Sequence, residues 1–171
     1  MRALFALAFA SLLMHTTGSC DETPAATAKK ARPPSHLMVG PGIFDVDQDH
    51  PRALVQVEYR WEINCHHWRP LAAFFLATDR NFFVCGGMSY DIFMGKKVVL
   101  TPSFAPGVYC HSDGKRLGFP INFRSAMELS YVFHNKGRFS VQFNHISNAR
   151  MLWKNPGADS LIFFYAIPIY K

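Results

Sequence analysis

Three polar residues near the C-terminus have the types and the spacing of a hydrolase triad. His145 and Ser147 lie two positions apart in FSVQFNHISN, and Asp159 follows in the next apolar segment. An imidazole can accept the proton of a seryl hydroxyl, and a carboxylate can hold the ring in the tautomer that this transfer needs. The pattern indicates Ser147 as nucleophile, His145 as general base and Asp159 as the acid that orients the base.

The residues around His145 and Ser147 alternate as in a β-strand. One face of this strand is apolar until the histidine, and the opposite face is polar and interrupted only by Ile146. Two residues along a strand are separated by roughly 6.5 Å between Cα atoms, a gap that an imidazole and a seryl oxygen can bridge. Polar groups on an apolar face cost free energy, so their presence there indicates a function. The apolar-face residues are Phe139, Val141, Phe143, His145 and Ser147, and the polar-face residues are Ser140, Gln142, Asn144 and Asn148.

The last strand brings the acid to the same face. Asp159 begins an apolar face that continues through Leu161, Phe163 and Tyr165. If the connection is centred near Leu152, Asp159 lies directly opposite His145, and such cross-strand neighbours have Cβ atoms roughly 4.5–5.5 Å apart. We therefore expect the three polar side chains to converge on one patch of the outer surface.

Period-two alternation recurs along the chain and predicts an all-β fold. Turn-forming runs such as TDRN, MGKK, HNKG and KNPG separate the alternating segments. Strands of about ten residues are long enough to cross a bilayer when tilted. The sequence thus predicts an eight-stranded antiparallel up-and-down outer-membrane β-barrel. The predicted strands are 38–46, 52–62, 68–77, 81–92, 96–105, 121–134, 137–148 and 158–170.

Alternation alone does not say which face is inside, and a soluble lipid-binding calyx would turn the apolar face inward. The apolar faces carry more large aromatic residues than a narrow eight-stranded barrel can enclose. Charged residues share the opposite face and can pair across a filled polar lumen; they are Glu58, Arg60, Arg124 and Glu128. Trp61, Trp68 and Trp153 fall near predicted strand ends, where membrane interfaces favour tryptophan. These features favour the outer-membrane barrel.

The N-terminal region reads as a targeting segment. Arg2 precedes a short apolar stretch over 3–14, which indicates an export signal at 1–20. Residues 21–37 form a flexible lead-in, and 38–171 form the barrel domain. Lipidation at Cys20 is a minor possibility. Export permits a disulfide, but the sequence leaves open which pair of Cys65, Cys85 and Cys110 would form one.

The net charge and the remaining motifs indicate which classes of partner the protein can bind. A formal net charge of +6 suits an anionic surface, and no aromatic–basic constellation of a nucleic-acid module is present. CHHW at 65–68 and CHSDGK at 110–115 hold possible metal ligands, but both are better explained as turn segments. We expect no nucleic-acid partner, no metal and no cofactor.

The C-terminal segment HISNARMLWKNPGADSLIFFYAIPIY resembles the signature of the PagL-like lipid A 3-O-deacylases, also called acyloxyacyl hydrolases. That family shows His-x-Ser-Asn, then an acidic residue, then an aromatic strand that closes the barrel. The resemblance implies an outer-membrane esterase that removes an ester-linked acyl chain from lipid A of lipopolysaccharide. It implies the same roles for His145, Ser147 and Asp159, and it places Asn148 at the site as structural support or as an oxyanion donor.

Two positions depart from the family pattern. Asp159 stands where the family usually has glutamate, so its bond to His145 requires close strand pairing. Arg150 stands where glycine is frequent, so its side chain either crowds an oxyanion site or binds a lipid A phosphate. We expect Phe143, Leu161 and Phe163 to line the acyl groove. A catalytically silent structural or lipid-binding barrel is the alternative, and the acyl position, chain preference and oligomeric state are left open.

Overall fold

The computed structural model describes the chain at residues 33–47, 51–62, 67–151 and 156–170. The export signal expected at 1–20 lies outside the described residues, as does most of the lead-in at 21–37. Within the described residues the strands are β1 (Ser35–Phe44), β2 (Arg52–Arg60), β3 (Trp68–Ala77), β4 (Phe82–Tyr90), β5 (Ile92–Met94), β6 (Val98–Cys110), β7 (Ile121–Val132), β8 (Arg138–Ser147) and β9 (Ala158–Ile169). The barrel therefore begins at Ser35, slightly before the predicted boundary.

The strands form one closed antiparallel barrel. β1 pairs with both β2 and β9, and the pairing of β4 with β6 closes the sheet. The short β5 follows β4 after Asp91 and pairs with the same neighbour, β6, so β4 and β5 together make one barrel strand. The predicted eight-stranded up-and-down barrel is confirmed. No helix among the described residues is long and apolar enough to span a membrane.

The barrel has two ends that are used throughout the description below. At the lower end β1 begins and β9 ends, and the connections β2–β3, β5–β6 and β7–β8 lie there. At the upper end lie the connections β1–β2, β3–β4, β6–β7 and β8–β9. His145, Ser147 and Asp159 are at the upper ends of their strands.

The largest error in a predicted strand boundary is at the end of the fifth strand. The sequence predicts that the fifth strand ends at residue 105, before Pro106 and Gly107, but β6 continues to Cys110. Gly107 permits this because a Cβ atom there would overlap the carbonyl oxygen of Val84 on β4. The glycine thus allows two strands to approach closely instead of ending one of them.

The apolar faces of the strands point outward. On β8 the side chains alternate between exposed Phe139, Val141 and Phe143 and buried Ser140 and Gln142. The other strands show the same orientation, with exposed large hydrophobic residues that include Val55, Phe74, Val84, Leu129 and Tyr165. A calyx with an apolar interior is therefore the wrong alternative for this chain.

The middle of the lumen holds the predicted ion pairs. Arg60 Nε donates to Glu58 Oε1 at 2.7 Å, and Arg60 Nη2 donates to Glu128 Oε2 at 2.5 Å. Arg124 Nη1 lies 2.9 Å from Glu58 Oε2 and completes a chain of two cations and two anions. All four side chains are almost fully buried, so each charge depends on its partners instead of on water.

A second polar cluster fills the lower part of the lumen. Asp91 Oδ2 accepts hydrogen bonds from Arg138 Nη2 at 2.8 Å and from Arg69 Nη1 at 3.3 Å. Asp91 Oδ1 accepts a third from the Thr101 hydroxyl at 2.9 Å. His36 Nδ1 lies 2.9 Å from Arg69 Nη2. These contacts link β1, β3, β6 and β8 to the junction of β4 and β5.

The upper part of the lumen holds an apolar cluster, where the sequence predicts a polar lumen. Phe75 packs between Phe44 and Phe83, with tilted rings whose centroids are 5.3 Å and 5.9 Å away. Tyr109 lies 6.2 Å from the Phe44 ring, and Leu117 is buried beside them. Phe75 and Phe83 lie in runs that are apolar on both faces, so alternation does not show that they point inward.

Aromatic side chains collect at the lower rim. Tyr59 packs edge-on against Trp61 at 4.8 Å between ring centroids, and Trp68 packs against Tyr90 at 5.0 Å. Trp61 and Trp68 thus lie at strand ends as predicted, whereas Trp153 is outside the described residues.

Two of the cysteines can be located in the structure. Cys85 and Cys110 are both unpaired. Cys20 and Cys65 lie outside the described residues.

Candidate active site

The centre of the site is a hydrogen-bonded pair on neighbouring strands. The register of β8 and β9 places His145 directly opposite Asp159, which is the pairing that the sequence predicts. His145 Nδ1 lies 2.6 Å from Asp159 Oδ1. The imidazole side chain is 36% exposed and the carboxylate 14%, so the pair is open to the barrel's surroundings on the imidazole side. With Nδ1 donating to the carboxylate, Nε2 is left as the proton acceptor.

Ser147 lies on the same outward face of β8, two residues toward the upper end. Its side chain is half-buried, like that of His145. Among the described residues, no hydrogen bond joins Ser147 Oγ to the imidazole. The imidazole and the carboxylate are thus hydrogen-bonded in the free protein, whereas a bond from a seryl hydroxyl to an imidazole is of the kind that often forms only in a substrate complex.

Gly157 leaves room for the free edge of the imidazole, and the sequence alone did not indicate this role. Its backbone has φ +63°, and a Cβ atom there would lie 2.8 Å from His145 Cε1 and 3.3 Å from Nε2. Ile146 pairs with Ala158 at the upper end of β8 and β9. Gly157 comes one residue beyond this pair, just before β9, and Ser147 comes one residue beyond it on β8. The Cε1–Nε2 edge of the ring therefore faces Gly157, at the upper end of the barrel. The register could have indicated this glycine, but KNPG reads only as a turn.

Asn148 holds the loop that follows the nucleophile strand. Its side chain is fully buried, its Nδ2 donates to the Leu117 carbonyl at 3.0 Å, and its Oδ1 accepts from Arg150 N at 2.9 Å. Ala149 and Arg150 both have left-handed backbone angles, φ 52° and 61°. Asn148 thus stabilises a tight turn and ties it to the β6–β7 connection. Of the two roles considered for Asn148, these contacts support the structural one.

The residues expected to contact substrate lie on the outer surface. Phe143 pairs across the strands with Leu161, and Val141 pairs with Phe163. Phe143 and Phe163 are exposed and Leu161 is half-buried, so they form an apolar strip directly below the His145–Asp159 pair. The Arg150 side chain is exposed at the upper end.

Possible metal ligands do not cluster in the part of the chain that the structure describes. No group of three or more histidine, cysteine, aspartate or glutamate side chains there is placed to hold a metal ion. Of the CHHW motif, Cys65 and His66 lie outside the described residues, while His67 packs edge-on near Phe93.

The sequence and the barrel are both similar to those of known proteins. The model of the family described as lipid A 3-O-deacylase (PagL) matches residues 40–168. The chain belongs to this family. The barrel superposes on the crystal structure of the outer membrane enzyme PagL with a TM-score of 0.58 and 19% identity, covering 77% of this chain and 99% of that one. It also superposes on Neisserial surface protein A with a TM-score of 0.53 and 13% identity, covering 82% and 100%. No curated protein sequence matches the chain.

At these identities the structural likenesses establish the fold only. The superpositions cover nearly the whole length of both solved structures. This chain therefore has all the strands of these barrels.

Proposed function

We propose that this member of the PagL family hydrolyses an ester-linked acyl chain of lipid A at the outer surface of the outer membrane. The family description names the 3-O position, and we propose that bond as the one cleaved. The observation that carries the proposal is the 2.6 Å bond between His145 and Asp159 on the lipid-facing wall, with Ser147 on the same face. A structural barrel has no use for such a pair on the wall that faces hydrocarbon.

The chemistry is that of a serine esterase. Ser147 Oγ attacks the ester carbonyl carbon while His145 Nε2 takes its proton. When the tetrahedral intermediate collapses, the bond from carbon to the sugar oxygen breaks, and the imidazolium returns the proton to that oxygen. His145 then deprotonates a water molecule, which attacks the acyl-serine. The bond from the acyl carbon to Ser147 Oγ breaks, the imidazolium returns the proton to Oγ, and the fatty acid is released. Asp159 keeps Nδ1 protonated and stabilises the imidazolium in both steps.

The placement of the site suits a substrate that lies in the membrane. The apolar strip of Phe143, Leu161 and Phe163 runs down the wall from the catalytic pair, so an acyl chain can lie along it while its ester reaches Ser147. If the N-terminus is in the periplasm, the upper end faces the exterior, where lipopolysaccharide forms the outer leaflet. The exposed Arg150 then lies at the level of the phosphate-bearing headgroup.

The test compares the wild-type chain with Ser147→Ala in Gram-negative cells that lack this activity. Mass spectrometry of extracted lipid A should show the loss of one acyl chain with the wild type and no loss with the variant. Heat-modifiable migration of both proteins in outer-membrane fractions establishes that each has folded. An unchanged lipid A profile with folded wild-type protein would favour the catalytically silent barrel. Equal deacylation by Ser147→Ala would remove this serine as nucleophile.

A further inference from the structure

Polar side chains are nearly absent from the outer wall of the barrel. Apart from tyrosines and Cys110, four of the accessible outward-facing residues of the described strands are polar. These four are Ser125, His145, Ser147 and Asp159. Three of these are already assigned to the proposed reaction. The fourth, Ser125, has no role so far.

Ser125 lies directly beside the base. In the β7–β8 register it pairs with His145, so the imidazole has Asp159 on one side and Ser125 on the other. Its outward neighbours on β7 are Phe123 and Met127. No hydrogen bond to Ser125 Oγ is formed by any residue in the described part of the chain. An unpartnered hydroxyl on a wall that faces hydrocarbon is unfavourable unless substrate supplies the partner.

The reaction needs a donor for the oxyanion, and the donors expected near Ser147 are committed elsewhere. Asn148 Nδ2 is buried inside the barrel and donates to Leu117 O, and the Arg150 backbone N–H donates to Asn148 Oδ1. Neither group is aimed at the outer wall. A side-chain hydroxyl on the same face as Ser147 is placed to serve the carbonyl oxygen of the substrate instead.

Resting on the proposed function, we propose that Ser125 is this donor and that its hydroxyl stabilises the oxyanion formed on attack by Ser147. Ser147 pairs with Phe123, so Ser125 is its diagonal neighbour across β7 and β8, at roughly 7–8 Å between Cα atoms. Two serine side chains that face the same way across such a gap leave room for one carbonyl group between their oxygens. The Ser125 proton stays on its oxygen throughout, since it is donated only as a hydrogen bond.

The direction of the imidazole separates this role from that of a nucleophile. A Cβ atom at Gly157 would meet the Cε1–Nε2 edge of the ring, so this edge faces the upper end of the barrel, whereas Ser125 lies at the level of His145 itself. This direction favours Ser147 over Ser125 as the partner of the base. Ser125 lies where the acyl carbonyl can point once Ser147 has attacked.

The experiment uses purified full-length protein in detergent micelles with lipid A as substrate. We expect Ser125→Ala to lower kcat by about 10²-fold, the usual loss for one oxyanion donor, with KM nearly unchanged. Ser125→Thr, which keeps the hydroxyl, should restore most of the rate. Tyr131→Phe removes another outward hydroxyl from β7, near the lower end, and should leave kcat unchanged.

Other outcomes overturn the inference. An unchanged kcat in Ser125→Ala, or a raised KM alone, means that Ser125 does not contact the oxyanion, while the proposed function stands if Ser147→Ala is inactive. Labelling by a fluorophosphonate probe shows which of the two serines is the nucleophile. If Ser125→Ala abolishes labelling and Ser147→Ala does not, Ser125 is the nucleophile, so both this inference and the assignment of Ser147 are wrong. If folded wild-type protein is inactive, the proposed function itself is wrong.

Discussion

The carboxylate of Asp159 reaches His145 because the two residues are direct cross-strand partners, with 2.6 Å between Oδ1 and Nδ1. The related deacylases usually carry glutamate at this position, which is longer by one methylene. Here the shorter side chain suffices because neighbouring strands hold paired residues at a fixed separation. The carboxylate and the imidazole are therefore positioned by the sheet itself instead of by a loop.

Replacing the acid tests whether it acts through the imidazole tautomer. Asp159→Asn should lower kcat by up to about 10⁴-fold because the amide favours the wrong tautomer. Asp159→Glu should retain most of the activity because it restores the carboxylate that relatives use. Initial rates of fatty acid release from lipid A measure both. Equal rates for Asp159→Asn and the wild type would show that this hydrogen bond does not support catalysis.

Gly157 should be intolerant of any side chain because of the imidazole beside it. We expect Gly157→Ala to lower kcat by about 10²-fold, since a Cβ atom 2.8 Å from His145 Cε1 displaces the ring.

Gly95→Ala is the matched control for Gly157→Ala. Gly95 also has a left-handed backbone, φ +80°, but no heavy atom lies within 4 Å of its Cβ position. The control should therefore carry backbone strain and keep full activity. If both variants lose activity equally, strain and not the imidazole contact explains the loss.

The turn held by Asn148 should be required for an ordered site. Asn148→Ala removes the bonds to Leu117 O and Arg150 N and leaves buried groups unsatisfied, at a cost of about 1–3 kcal/mol each. We expect lower kcat and faster protease cleavage in the β8–β9 connection. Asn135→Ala removes a similar turn bond, from Gly137 N at 3.0 Å, at the lower end. The prediction is contradicted if the two variants behave alike.

The ion pairs in the lumen should be strongly coupled. Glu58→Gln leaves the buried Arg124 without its carboxylate, a change that destabilises a protein by about 3–5 kcal/mol, whereas Arg124→Gln leaves Glu58 with Arg60 as its cation and should cost less. The double variant removes both charges and should cost clearly less than the sum of the two single variants. Urea unfolding in lipid vesicles, monitored by heat-modifiable migration, gives the free energy of unfolding of each single variant and of the double variant. Additive losses would mean that Glu58 and Arg124 do not interact.

Much of the barrel follows from the sequence because outward and inward residues alternate with period two. The same alternation predicts the lumenal ion pairs of Glu58 and Arg124, and symmetry about Leu152 predicts the pairing of His145 with Asp159. These are consequences of strand geometry alone, which a linear pattern records directly.

Features that depend on contacts between distant segments could not be predicted in this way. Phe75 and Phe83 fill the upper lumen, yet their neighbours are equally apolar, so no pattern separates inside from outside. The bond from Asn148 to Leu117 joins two loops. The close contact of Gly157 with the ring depends on a backbone angle that a turn-forming sequence does not specify.

The filled lumen restricts the route by which lipid substrate and product can reach and leave the site. Charged clusters occupy its middle and lower parts and aromatic rings lie in its upper part, so buried side chains fill the lumen in the described part of the chain. Under the proposed function, substrate and product reach and leave Ser147 sideways within the leaflet. We expect turnover to follow the two-dimensional density of lipid around the protein, and the cell to remodel its surface without weakening its permeability barrier.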